Sequence, residues 1–165
     1  LIYKKNKEYI KSIPAQLNVG ETEFVMLLRD YLTRNYKKLK NEEIFLLRNL
    51  SKRGVEFFQT MGYFPDFIMW RRKGGKQTII FIDPKGIRHL EDEKVQLYKN
   101  IKTLERNIGK KNICLESFII SATKFQDLKK SYSYAQKKKE DLEKDHVLFM
   151  EDKAELIKKI LQESE

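Results

Sequence analysis

Two runs of β-branched and aromatic residues flank a Gly-Gly pair, and this arrangement limits what the chain can fold into more than any other feature. Residues 55 to 70 end in Phe-Ile-Met-Trp, residues 77 to 82 read Gln-Thr-Ile-Ile-Phe-Ile, and Arg71-Arg72-Lys73-Gly74-Gly75-Lys76 joins them. Gly-Gly supplies the positive φ angles that a two-residue β-hairpin turn requires. With Gly74 and Gly75 as the loop, Lys73 faces Lys76, and the residue numbers of every opposed pair sum to 149. Asp66 then stands opposite Asp83, the two side chains sharing a face with Cβ atoms about 5 Å apart. Their strand neighbours, Phe67 to Trp70 and Ile79 to Ile82, predict a hairpin buried on both faces.

Two carboxylates at the end of a buried hairpin repel each other and are costly to desolvate. A divalent cation between them removes that cost. Carboxylate oxygens suit Mg²⁺ or Mn²⁺, hard ions that keep several waters for a phosphate or a nucleophile. Lys85 lies two residues after Asp83 and points to the same face, where an ammonium can orient or deprotonate a water and offset charge growing on a phosphate. Pro84 between them has no N–H, which fits a strand splaying open, and its backbone carbonyl is a further candidate metal ligand. Glu21, three residues before Phe24 and seven before Leu28, falls on the core-facing stripe of the first helix and is the additional candidate acid. Its bland role is to favour the helix N-terminus electrostatically. Glu23 is rotated toward Met26 and Asp30, away from that stripe.

Along the chain, residues 1 to 19 read as a lead-in or linker and residues 20 to 165 as one domain. Phe24, Leu27, Leu28, Tyr31 and Leu32 predict an amphipathic helix over 21 to 38. Residues 41 to 50 contain Ile-Phe-Leu-Leu, which suits a short helix or a buried strand. A second helix is expected over 91 to 107, with Leu97, Ile101, Leu104 and Ile108 on one stripe, then a strand over 112 to 122. Thr123 and Gln126 have the spacing of a capping box opening a third helix. Residues 131 to 145 are Lys-rich and helical in part, 146 to 150 a short strand, and 152 to 162 a closing helix. The order predicts an α/β (α+β) fold with a mixed central sheet flanked by helices.

The 165 residues carry 34 Lys and Arg against 24 Asp and Glu, a net charge of +10, with 41% hydrophobic residues, which excludes a disordered or collagen-like chain. The longest apolar run, residues 24 to 28, is far below the roughly 18 needed to cross a bilayer, so no membrane span is expected. Neither an initiator Met nor a signal region opens the chain, which suggests a fragment of a longer protein. Cys114 alone forms no internal disulfide, and with only His89 and His146 a zinc site is not expected. These features point to an intracellular domain. Its positive charge clusters at Lys37, Lys38 and Lys40, at Arg71 to Lys73, at Lys110 and Lys111, at Lys129 and Lys130, and at Lys137 to Lys139, which suits polyphosphate backbones or a plain solvated surface.

Phe64-Pro65-Asp66-Phe67 and Ile82-Asp83-Pro84-Lys85-Gly86, with 16 residues between the two aspartates, resemble the PD-(D/E)xK nuclease signature. Gly20-Glu21-x-x-Phe24-Val25, Leu46-Leu47-Arg48-Asn49-Leu50, Gly54-Val55-x-Phe57-Phe58 and Trp70 extend the likeness. Together they are similar to the C-terminal nuclease domain of DEAD/DEAH-box helicase proteins related to type III restriction subunits, over roughly residues 19 to 110. The resemblance implies a restriction-endonuclease-like αβββαβ core, Mg²⁺ or Mn²⁺, and phosphodiester hydrolysis in DNA. It maps metal-binding acids onto Glu21, Asp66 and Asp83 and the water-assisting lysine onto Lys85. It also implies a helicase or ATPase domain in the same chain or complex, a bacterial cytoplasmic location and a role in defence against foreign DNA. The Gln-x-x-x-Tyr motif of the RecB-like branch is absent, since Gln96 and Tyr98 are two apart.

Several other residues are candidate nucleic-acid contacts. Arg48, flanked by apolar residues, could pair inside the domain or reach a phosphate. His89 follows Lys85 closely, and Lys94 stands one turn before Tyr98. Tyr132 and Tyr134 beside Lys137, Lys138 and Lys139 combine stacking surface with charge, a composition suited to single strands. Arg71, Arg72, Lys73 and Lys76 sit about 23 Å from Asp66 along the strand, too far for the metal site but open to DNA or another domain. Two alternatives remain beside the DNA nuclease: an RNA nuclease, and an inactive nuclease-fold module for nucleic-acid binding or docking.

Overall fold

The computed structural model describes residues 16–49, 64–85, 100–131 and 134–162. Most of the expected lead-in, residues 50 to 63, His89, Lys94 and Tyr132 lie outside them.

Asn18 opens the first helix, α1 (Val19–Arg34), through a reciprocal capping box: its Oδ1 accepts from Glu21 N at 2.8 Å, and Glu21 Oε2 accepts from Asn18 N at 2.9 Å. The helix buries Glu21, Phe24 and Leu28 on one stripe and ends four residues before the expected Lys38. Next comes β1 (Glu42–Arg48), so the ambiguous segment is a strand. Its side chains alternate: Ile44 and Leu46 pack toward the core, while Phe45 and Leu47 are exposed.

Strands β2 (Phe67–Lys73) and β3 (Lys76–Lys85) form the hairpin in the register that the Gly-Gly loop dictates, from Lys73↔Lys76 to Phe67↔Ile82. Gly74 and Gly75 turn with φ of 55° and 83°, conformations that favour glycine. Helix α2 (Ile101–Ile108) leads into β4 (Ile113–Ser121), which pairs parallel with β3. The short helices α3 (Phe125–Leu128) and α4 (Lys139–Lys144), strand β5 (Val147–Phe149) and helix α5 (Ala154–Gln162) complete the order. Lys124 is the N-cap of α3 and makes no side-chain cap bond, so the capping box expected from Thr123 does not form.

The fold is mixed α/β: five strands in the order β1-β2-β3-β4-β5, antiparallel at the first two junctions and parallel at the last two, with helices on both faces. On one face Phe24, Leu28, Phe67, Met69, Ile80, Ile82, Phe118 and Ile120 join Leu156, Ile157 and Ile160 of α5. On the other, Ile101 of α2 packs on Ile68, Phe81 and Leu115, while Leu128, Tyr134 and Leu142 cover Ile119, Val147 and Phe149. None of the described helices is long and apolar enough to cross a membrane.

Candidate active site

The site forms where β2 and β3 part company. Their pairing stops at Phe67↔Ile82, yet β3 runs on to Lys85 beside β4, ending opposite Ser121. Odd-numbered residues of β3 bond to β4, as Gln77 N does to Asn112 O and Lys85 O does from Ala122 N. Pro84, even-numbered, therefore turns its nitrogen and carbonyl toward the side that β2 has left, where a missing N–H costs no ladder bond. The Pro84 carbonyl faces the start of α1: a Cβ on Gly20 would lie 4.0 Å from it.

Strand alternation puts Asp83 and Lys85 on one face, with Asp83 buried and Lys85 half-buried. The Lys85 ammonium pairs with Asp83 Oδ2. Asp66, just before β2, is fixed by its own backbone, since its carbonyl accepts from Asn49 N at 2.8 Å. Its carboxyl is pushed up from 3.8 to about 8, first by burial, then by a hydrogen bond with the Asp83 carboxyl and by the charges of Asp83 and Glu21, with Lys85 opposing. A bond between two carboxyls needs one proton between them. At neutral pH the pair therefore holds a proton where a cation would relieve the same repulsion.

Glu21 is buried at the N-terminus of α1, and its charge acts on Asp66, whereas Glu23 is exposed. Besides its cap bond, Glu21 Oε2 is met by Arg48 Nη2 at 2.9 Å. Arg48, one of the candidate phosphate contacts, thus makes an ion pair inside the domain, at the end of β1 next to the strand start that carries Asp66. Among the described residues, no three His, Cys, Asp or Glu side chains come together as a metal-holding group. A pair of carboxylates with a neighbouring carbonyl nonetheless fits Mg²⁺, which is commonly held by one or two carboxylates and keeps several waters.

The structure revises other expectations. Arg71 is buried: Nε donates to Glu42 Oε2 at 2.7 Å, Nη2 to Glu42 Oε1 at 3.1 Å, and Nη1 to the Leu161 carbonyl. It clamps the C-terminal turn of α5 to the sheet and is closed to DNA. Arg72 and Lys73 are exposed at the turn. Tyr134 is buried against α4 and β5, so it offers no face for a base. Lys139 is held by Asp152 at 2.5 Å and lies over the Phe149 ring, whereas Lys137 and Lys138 are exposed. Cys114 is half-buried in β4.

Sequence reasoning missed two residues. Asn18 was detectable, because Asn-x-x-Glu before an apolar stripe is a capping signature. Asn49, buried beside Asp66, stands in the 46-to-50 stretch of the likeness but was given no role there, since the strand pairing that brings it to Asp66 is not written in its neighbours. Compared with known proteins, the chain matches no family model, no curated protein and no solved structure.

Proposed function

We propose that this domain is a Mg²⁺- or Mn²⁺-dependent endonuclease that hydrolyses phosphodiester bonds in DNA. One observation carries the reading: the carboxyls of Asp66 and Asp83 stand within hydrogen-bond reach of each other at the parting end of a buried hairpin, beside Lys85. A purely structural module gains nothing from that repulsion. Asp66 and Asp83, with the Pro84 carbonyl, would hold the ion, and Glu21 would add negative charge behind them. When bound, the cation supplies a Lewis acid for the phosphate and a water of lowered pKa.

The residues of the chain do the rest. To ligate a cation Asp66 would have to give up its proton, so affinity for the ion should rise with pH. Lys85, tethered to Asp83 and only half-buried, would orient the attacking water and offset charge on the phosphate. The buried strands hold the two carboxyls rigidly, so the geometry needs little rearrangement during reaction. The resemblance noted above extends the proposal to a bacterial cytoplasmic setting, a linked helicase or ATPase, and defence against foreign DNA.

The test is nicking of supercoiled plasmid with Mg²⁺ by the wild-type chain and by Asp83→Asn. Activity in the first, a loss of at least a hundredfold in the second and retained DNA binding support the reading. Equal activity in both sinks the site assignment. Cleavage of RNA in preference to DNA in direct competition would transfer the mechanism to an RNA nuclease, and binding without any cleavage would identify a docking module.

A further inference from the structure

The Glu21 carboxylate is fixed from several directions before any ion arrives. Asn18 N and Arg48 Nη2 both donate to Oε2 at 2.9 Å, and Glu21 N returns a bond to Asn18 Oδ1 at 2.8 Å. The side chain is 6% exposed and that of Arg48 22%, so little water competes with the pair. Arg48 ends β1, and the next residue, Asn49, bonds to the Asp66 backbone, which ties the guanidinium to the same corner as the carboxyl pair.

We infer that Arg48 is a positioning residue that acts as a permanent cation of this site, holding Glu21 out of metal ligation so that the Asp66–Asp83 pair takes a single divalent ion. The inference rests on the metal-dependent reading above. A guanidinium does not lose its proton in proteins, so its charge is present at every working pH. Counted as formal charges, three carboxylates (Glu21, Asp66, Asp83) and two cations (Arg48, Lys85) give the corner one negative charge, 2 − 3 = −1. One divalent ion turns that into a single positive charge, which matches a scissile phosphodiester. A second ion would bring the corner to three positive charges, and taking Glu21 as a ligand would pull its carboxylate away from the Arg48 guanidinium and the Asn18 N–H that hold Oε2. Arg48 thus does electrostatically what a second ion does at a two-metal site, without exchanging with solvent.

Bound Mn²⁺ is counted by calorimetry and electron paramagnetic resonance on the whole chain without DNA. The wild type and Arg48→Lys, which keeps the charge, should each bind one ion, and Asp66→Ala should bind none. Arg48→Met should bind two, the second disappearing when Glu21→Gln is added. Two ions on the wild type, or one on a folded Arg48→Met, overturns the inference while leaving the metal site intact. No ion on the wild type overturns both. Should Arg48→Met fail to fold, Glu21→Gln alone decides, because glutamine preserves the capping box. One ion with less than a tenfold loss of affinity upholds a non-ligand Glu21, and a larger loss refutes it.

Discussion

Replacing Asp66 with Asn keeps the shape of the side chain and removes a carboxyl whose ionised form the fold accommodates poorly. The folded carboxyl titrates near 8 against 3.8 unfolded, so the native state keeps a proton that the unfolded chain releases. The native state therefore gains from this proton fully below pH 3.8, and that gain drains away as pH rises toward 8. Neutral pH lies about three units above the unfolded value, each unit about 1.4 kcal/mol, for an upper bound of roughly 4 kcal/mol. Asp66 is part-exposed, and solvent screening brings the loss to about 2 kcal/mol. The Asn variant escapes it, which for a chain of this length raises Tm by about 4–8 °C at pH 7. At pH 5 only 5 − 3.8 = 1.2 units separate the solution from the unfolded value, about 0.8 kcal/mol after the same screening, so the gain shrinks to about 2–3 °C. Thermal melts by circular dichroism in EDTA at the two pH values measure both numbers. Saturating Mg²⁺ should then raise the wild type and leave the variant unmoved. Equal melting at pH 7, or the same gain at both pH values, would refute a strained carboxyl pair.

Arg71→Met leaves Glu42 buried without its main partner and should cost about 3 kcal/mol, the lower end for a broken buried pair because Lys73 stands 3.5 Å from the same carboxylate. The expected fall in Tm is about 6–12 °C, and a change below 2 °C would contradict the clamp. Arg71 holds the Glu42 pKa below its ordinary 4.5, so this contribution is present above pH 4.5 and lost as pH falls, opposite in sign to Asp66, and the two proteins should converge in acid. Lys137→Ala with Lys138→Ala should weaken DNA binding in fluorescence anisotropy and reduce the salt slope by about 2 if both meet phosphate. An unchanged slope would mark these lysines as plain solvated surface.

The hairpin was legible because one local device, Gly74-Gly75, fixes the register of every pair beyond it, down to Phe67↔Ile82. Lys85 followed from strand alternation alone. The stripe of α1 was legible too, though its start was set two residues late by reading Gly20 rather than Asn18 as the boundary. Residues 41 to 50 stayed ambiguous because Ile-Phe-Leu-Leu suits either period, and only pairing with β2 makes them a strand. Arg48 and Arg71 could not be assigned from sequence, since their partners Glu21 and Glu42 are 27 and 29 residues away and meet them through tertiary packing. The same packing buried Tyr134, whose Lys-rich surroundings resemble a nucleic-acid surface.

The most direct test of the central claim is a Mg²⁺ titration by calorimetry on the wild-type chain and on Asp66→Ala, with plasmid nicking followed in the same samples. Metal binding that tightens with pH and coincides with nicking, both abolished in the variant, is the predicted result. Heat of binding absent from the wild type with and without DNA, or binding and nicking that survive the loss of Asp66, would contradict it.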